Sequence, residues 1–287
     1  MQETIYISQM DKTISRTDIM ETLKFHENDI IFLGGSLIES SITSLSSGMG
    51  NKYSDIDIFI LAEDVNRFGG EEVEYNQKYV KTQFKRLHGI NLDIEIHSLS
   101  AVTEAMEQLN QCNFDPNTRL LNLLKLPDGF DFDHFTSLIH RFLNSVPIYN
   151  EASYNALYSS LNKGNYYRIM CRLAVNIVDN SYEDVVGNLE NSQYDVAVHI
   201  SRSILLQTIK AYLFNKNASL DRDKWIPLKL RNLANIDDDA DKIYRTFVQL
   251  YYEVSLPDDN ALRENAERIL GFSEEVIQKI GQEGRLF

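Results

Sequence analysis

Cysteine is nearly absent from this chain of 287 residues, which contains only Cys112 and Cys171. Two cysteines without a C-x-x-C spacing exclude a disulfide framework and argue against a thiolate zinc site. No apolar run approaches the ~20 residues that span a bilayer, and the N-terminus lacks the basic and apolar regions of a secretory signal. We therefore expect a cytoplasmic protein with no membrane partner.

Basic residues are also scarce, because 28 Lys and Arg stand against 42 Asp and Glu and leave a formal net charge of −14. Proteins that bind long nucleic acids take most of their affinity from Lys and Arg that neutralise phosphates. The charge thus argues against a long nucleic acid and favours a small or cationic partner, although it can equally serve solubility alone. The net charge does not indicate an oligomeric state.

Apolar residues are plentiful, at 43% of the chain, and can supply two hydrophobic cores. Up to about residue 101, strand-like and helix-like patterns alternate, and beyond it apolar residues recur at helical intervals. The predicted fold class is α+β, with a small mixed-sheet domain over residues 1–115 and an α-helical bundle over 116–287. The strands are expected at 30–35, 54–63 and 90–100, and the helices of the first domain at 15–26, 37–45 and 76–89.

Two of the predicted strands carry acidic residues in alternation with apolar ones. Asp55 and Asp57 lie in YSDIDIFIL, and Asp93 and Glu95 lie in INLDIEIHS. Residues i and i+2 of a strand project to the same face, so each pair shares a face. Neighbouring carboxylates suppress each other's ionisation unless a cation lies between them, and Mg²⁺ prefers oxygen ligands. Carboxylates on adjacent strands therefore predict a site for two Mg²⁺ ions, an arrangement suited to displacement at phosphorus.

The first acidic strand follows a glycine turn, Gly34-Gly35-Ser36. Glycines let backbone N–H groups approach an anion closely, Ser36 adds a hydroxyl donor, and a helix that begins near Leu37 would direct its positive end to the same place. The turn therefore predicts a phosphate-binding site. Its spacing matches neither the P-loop nor the dinucleotide-binding motif.

Over residues 28–98, the order of GGS, an interval, D-x-D in a strand and an acid in a later strand resembles the DNA polymerase β-like nucleotidyltransferase superfamily. The layout with a helical second domain resembles the kanamycin-type aminoglycoside nucleotidyltransferases. The resemblance implies that Gly35 and Ser36 hold the phosphates of a nucleoside triphosphate and that Asp55 and Asp57 bind metal. It implies for Asp93 the role of third metal ligand or general base.

One feature departs from the family pattern. Eighteen residues separate Ser36 from Asp55, an interval longer than is usual in the family. We interpret part of SSITSLSSGMG, residues 40–50, as an insertion whose order the sequence leaves open.

The helical half offers three basic residues as further contacts for the nucleotide. Arg202 shares a predicted helix face with Asp195 and His199, and Lys224 and Lys229 flank Trp225, the only tryptophan. A basic patch beside an aromatic ring can hold a triphosphate and stack a base. Ordinary roles in helix packing and in a solvated surface are at least as compatible with the pattern.

These features together predict a Mg²⁺-dependent nucleotidyltransferase that moves a nucleoside monophosphate, AMP from ATP or the equivalent from another nucleoside triphosphate. The acceptor is a hydroxyl of a small, antibiotic-like molecule, and Asp93 or Glu95 is the candidate base. One alternative is an AMP-transferring antitoxin-type enzyme that modifies a protein. Another is a non-catalytic module that binds a nucleotide or a partner.

Overall fold

The computed structural model describes residues 4–70, 73–114 and 124–284, which form two compact units. The first unit comprises the described residues up to Cys112 together with Leu124–Asn162. The second comprises Asn113, Phe114 and the described residues from Lys163 onward. The predicted α+β fold class is confirmed.

A six-stranded mixed sheet forms the centre of the first unit, with the strand order β5-β6-β7-β4-β3-β8. The pairing of β4 with β7 is parallel and the other pairings are antiparallel. A separate hairpin pairs β1 with β2. The strands are β1 (Thr4–Ile7), β2 (Lys12–Ser15), β3 (Ile30–Gly34), β4 (Ile56–Ala62), β5 (Tyr75–Asn76), β6 (Val80–Leu87), β7 (Ile90–Ser98) and β8 (Val146–Tyr149).

Among the described residues, five helices accompany this sheet, and three of them begin at a side-chain cap. The hydroxyl of Ser15 accepts bonds from the Thr17 and Asp18 amides, which satisfies donors at the first turn of α1. Ser98 and Asp131 cap α3 and α4 in the same way. The helices are α1 (Arg16–Thr22), α2 (Gly35–Ile42), α3 (Leu99–Asn110), α4 (Phe132–Leu143) and α5 (Glu151–Ser160).

The two faces of the sheet differ in what covers them. One face carries the isoleucines of β3, β4 and β7 and forms a core with α1, α2 and the β1–β2 hairpin. On the opposite face, the ring of Phe32 packs against Phe142 of α4 and Tyr154 of α5, with centroid distances of 5.3 and 5.8 Å. The acidic residues of β4 and β7 project to this second face.

The predicted helix over residues 76–89 is wrong, because the segment forms β5 and β6. Its apolar residues fit three- and four-residue spacing, yet Val80, Thr82 and Phe84 also alternate and have high β-propensity. Pairing of all eight residues of β6 with Ile90–His97 of β7 decides in favour of the strand.

The division into units differs from the predicted boundary at residues 115 and 116. The short strand Val146–Tyr149 pairs with β3, so α4, β8 and α5 belong to the sheet unit rather than to the bundle. Four residues are too few for a visible alternation, so the sequence alone does not predict this strand. Residues 115–123 of the predicted boundary region lie outside the described part of the chain.

The second unit is helical, as predicted. Val178, Val198 and Ile204 are buried with Ala266 and Leu270 in a core that joins α6, α7 and α10. Its helices are α6 (Lys163–Glu190), α7 (Tyr194–Asn215), α8 (Ile226–Ala234), α9 (Asp238–Tyr251) and α10 (Asp259–Gln282). Within the described residues, no helix is long and apolar enough to cross a membrane.

Candidate active site

Four residues in register form a row across β3, β4, β7 and β6, which we call the acidic row: Gly34, Asp57, Asp93 and Phe84. Gly34 pairs with Asp57, Asp57 with Asp93, and Asp93 with Phe84. Residues directly opposite one another on neighbouring strands point to the same face, with Cβ atoms about 5 Å apart. The register therefore brings the glycine turn and the acids of two strands to one place.

Gly35 lies at the end of this row and begins α2. Its φ of +76° is in the left-handed region that favours glycine, and a Cβ there would come within 1.7 Å of Asp57 Oδ2. The carboxylate of Asp57 thus occupies the space that any larger residue would fill. Gly34 and Gly35 accordingly place the start of α2 against the acid.

Asp55 lies one residue before β4 begins and is exposed, whereas Asp57 lies within the strand and is half-buried. Of the three predicted metal ligands, Asp57 and Asp93 are the pair that the register makes neighbours. Across the described residues, no three His, Cys, Asp or Glu side chains converge as a ready-made metal cluster.

The donor set nevertheless fits Mg²⁺ bound together with a nucleotide. This ion is usually held by one or two carboxylates, and the phosphates of the substrate and water complete its coordination. Asp57 and Asp93 supply two adjacent carboxylates. They lie beside a glycine turn in which a Cβ on Gly35 would collide with Asp57. Asp55, the exposed residue directly before β4, is the third of the predicted metal ligands.

The Ser-rich interval that the sequence analysis interpreted as an insertion folds back against α2. Ser46, in a short 3₁₀ turn, donates to Glu39 Oε1 over 2.7 Å, and both residues are buried. The second oxygen of Glu39 lies 3.2 Å from Nε2 of His140 on α4. A Cβ on Gly50 would come within 3.3 Å of Ser36 Oγ. The interval is therefore anchored to α2, the helix that begins at the glycine turn.

Glu95 lies two residues beyond Asp93 on the same face, in a different environment. It forms an ion pair with Arg141 of α4, and its Oε2 lies 3.2 Å from Nε2 of the buried His97. Burial by itself raises the pKa of Glu95, but the hydrogen bond from His97 and the charge of Arg141 lower it to about 2. Glu95 is therefore an ionised, paired group at neutral pH.

Arg141 is the main site component that the sequence analysis missed. Only 8% of it is exposed, and its guanidinium lies 5.2 Å from the centroid of the Phe59 ring. It also contacts the position of Gly34, where a Cβ would be 3.5 Å from Arg141 Cβ. No local pattern identifies it, because its partner Glu95 is 46 residues away in the chain. His97 carried a weak signal, since it continues the alternation of Asp93 and Glu95.

The three basic residues predicted to bind the nucleotide all lie in the helical unit. Arg202 is half-buried on α7, and Lys224 is exposed, with its Nζ 5.0 Å from the Trp225 ring centroid. Lys229 is only 2% exposed and its Nζ donates to the Ser219 carbonyl over 2.6 Å. This burial does not support a phosphate contact by Lys229, because its ammonium is used to satisfy a backbone carbonyl inside the unit. For Arg202 and Lys224 the role stays a prediction.

Comparison with solved structures relates this chain to a known fold. The chain is similar to a nucleotidyltransferase-like protein from Exiguobacterium sibiricum, with a TM-score of 0.50 and 13% sequence identity. The alignment covers 94% of this chain and 75% of that one. No protein-family model and no curated protein matches the sequence. The similarity at this identity shows the fold, which is nucleotidyltransferase-like.

Proposed function

We propose that this protein is a Mg²⁺-dependent nucleotidyltransferase that moves a nucleoside monophosphate to a hydroxyl of a small acceptor. The observation that carries the proposal is the acidic row, in which the glycine turn, Asp57 and Asp93 are consecutive neighbours across three strands. A fold similar to that of a nucleotidyltransferase-like protein agrees with it.

The turn at Gly34 and Gly35 would bind the phosphates of the nucleoside triphosphate. A backbone without Cβ atoms lets the first amides of α2 point at an anion, and these amides are the unsatisfied donors of a helix start. Ser36 is half-buried in the first turn of α2 and adds a hydroxyl donor.

Asp57 and Asp93, with Asp55 beside them, would hold Mg²⁺. Bound there with the triphosphate, this ion supplies charge stabilisation to a displacement at the α-phosphorus. The two carboxylates repel each other, and a cation between them would favour the ionised form of both. Through that cation they would orient the reacting phosphate against the turn. ATP is the first candidate donor, as the family resemblance implies.

The base is Asp93 rather than Glu95. A base must accept a proton from the attacking hydroxyl, and Glu95 with a pKa of about 2 is a weak acceptor already bonded to Arg141 and His97. Asp93 is adjacent to Asp57 and so to the phosphate that the hydroxyl attacks. The oxygen of the hydroxyl forms the new bond to phosphorus, its proton passes to Asp93, and pyrophosphate leaves.

A small acceptor with cationic groups suits the net charge of −14, since a field of that sign attracts cations and repels polyanions. Aminoglycoside-like molecules are the first class to test. Transfer to a protein hydroxyl, or nucleotide binding without transfer, is the outcome that would replace this proposal.

The test is a transfer assay with α-labelled ATP, GTP, CTP and UTP, Mg²⁺ and a panel of aminoglycosides, other hydroxylated small molecules and proteins. We expect label on a small molecule, release of pyrophosphate, and neither with the Asp57→Asn variant. Label only on protein would move the assignment to the protein-modifying class. Nucleotide binding without label on any acceptor would favour a non-catalytic module.

A further inference from the structure

Phe84 is the one member of the acidic row that has no part in the mechanism above. It is 63% exposed on β6 and lies directly opposite Asp93 on the same face of the sheet. Burial of a phenylalanine stabilises a fold by about 1.5–3 kcal/mol, so its exposure here contributes little of that to folding. Isolated exposed aromatics are ordinary, and the significance of Phe84 comes from its position beside the base.

The geometry of the row leaves one side for the acceptor. The glycine turn and Asp57 lie on one side of Asp93, where the nucleotide is proposed to bind. Along β7, one neighbouring position on this face is Glu95, which is closed by its ion pair with the buried Arg141, and the other is the exposed Asn91, which lies opposite Arg86 of β6. A molecule that presents a hydroxyl to Asp93 can extend over β6, where the Cβ atom of Phe84 lies about 5 Å from that of Asp93.

We propose that Phe84 is the specificity-determining residue for the acceptor. Its ring packs against the acceptor ring that bears the reacting hydroxyl. This inference rests on the proposed function. The flat face of phenylalanine packs well against the apolar face of another ring and also attracts cationic substituents. A cyclic acceptor keeps its hydroxyl at a fixed height above such a surface, within reach of Asp93, whereas an open chain loses rotational freedom to reach the same pose.

The test compares two amino alcohols of different shape, the cyclic kanamycin and the open-chain glucamine, with labelled ATP and Mg²⁺. The variants are Phe84→Ala, Phe84→Tyr and, as a matched exposed aromatic on the other sheet, Tyr6→Ala, since Tyr6 is 58% exposed on β1. In Phe84→Ala we expect KM for the cyclic acceptor to rise about three- to tenfold, the range of an aromatic contact. KM for ATP and the melting temperature should stay unchanged, and Phe84→Tyr should restore the wild-type value.

Three results would overturn the inference. Transfer by Phe84→Ala with wild-type KM for kanamycin would remove Phe84 from acceptor binding while leaving the proposed function intact. A shift from oligomer to monomer in Phe84→Ala, measured by sedimentation with no change in KM, would assign the ring to self-association. Wild-type protein that labels neither compound nor any other small hydroxylated acceptor would defeat the proposed function and this inference with it.

Discussion

Two neighbouring rows on one face of the sheet have similar residues and different environments. The acidic row contains Asp93, and the adjacent row contains Phe32, Phe59, Glu95 and Thr82 in register. In the second row the Phe32 and Phe59 rings stack at 5.1 Å, and Arg141 neutralises Glu95. The comparison teaches that two carboxylates two residues apart on one strand can have different surroundings, because the helix packed above one of them supplies it with a paired cation.

The largest expected effect tests this division directly. Asp93→Asn removes the proposed base and a metal ligand, so kcat should fall by about 10³-fold. Glu95→Gln should lower kcat by less than about tenfold, because Glu95 does not touch the reacting atoms. Steady-state transfer rates for both variants, with circular dichroism as a control for folding, measure the difference. Equal losses in kcat would mean that the two rows act as one site.

The next effect is on stability. Arg141→Met should lower the free energy of unfolding by about 2–3 kcal/mol, because it leaves the charge of Glu95 uncompensated in a mostly buried position. The double variant Arg141→Met with Glu95→Gln should recover part of this loss. Urea unfolding of the three proteins gives the coupling between the two residues. A double variant no more stable than Arg141→Met would show that the aliphatic stem of Arg141, rather than its charge, stabilises the fold.

The lowered pKa of Glu95 also predicts how the stability of the fold depends on pH. Its pKa is lowered from 4.5 to about 2 in the folded protein, so the folded state binds fewer protons than the unfolded state between these values. The contribution of Glu95 is therefore complete above pH 4.5 and is lost as the pH falls through about 2. Urea unfolding at pH 7, 5, 4 and 3 should show a smaller decline in Glu95→Gln than in the wild type. Parallel declines in the two proteins would refute this pKa.

Two glycines of similar backbone conformation distinguish the effect of the left-handed conformation from the effect of close contact with Asp57. Gly35 and Gly89 have φ values of +76° and +79°, but only at Gly35 would a Cβ meet another group within 4 Å. Both alanine variants incur about 1–2 kcal/mol for the left-handed conformation. Gly35→Ala should in addition weaken ATP binding by roughly tenfold, while Gly89→Ala should not, because only the first displaces Asp57 from the phosphate turn. Calorimetric titration with ATP and Mg²⁺ gives both affinities, and equal affinities would contradict phosphate binding by the glycine turn.

The smallest effect concerns the support beneath the turn. Ser46→Ala removes a buried bond to Glu39 and should cost about 1 kcal/mol of stability. Ser41→Ala, which removes only a bond to Ile38 in its own helix, should cost less than about 0.5 kcal/mol. Thermal unfolding of both variants checks the order. A reversed order would mean that residues 44–50 do not anchor α2.

Much of the site followed from local patterns. The alternation of acids with isoleucines predicted both strands and the face of Asp57 and Asp93, because a strand has a strict period of two. The same reasoning failed at residues 76–89, where helical and strand periods both fit the apolar positions. The prediction that Lys229 contacts the nucleotide lacks support for a different reason. A basic residue near the only tryptophan looks the same in sequence whether its ammonium faces solvent or a buried carbonyl.

The sequence by itself determined the α+β class, the glycine turn, the acidic strands and the excess of negative charge. Each of these depends only on composition or on residues that are close together in the chain. Only the tertiary structure decided that Asp93 lies between Asp57 and Phe84, that Arg141 neutralises Glu95, and that β8 completes the sheet. These contacts join residues far apart in the chain, such as Glu95 and Arg141, which are 46 positions apart. Such pairs form because burial leaves polar groups no partner but one another, and no local period records which groups will meet.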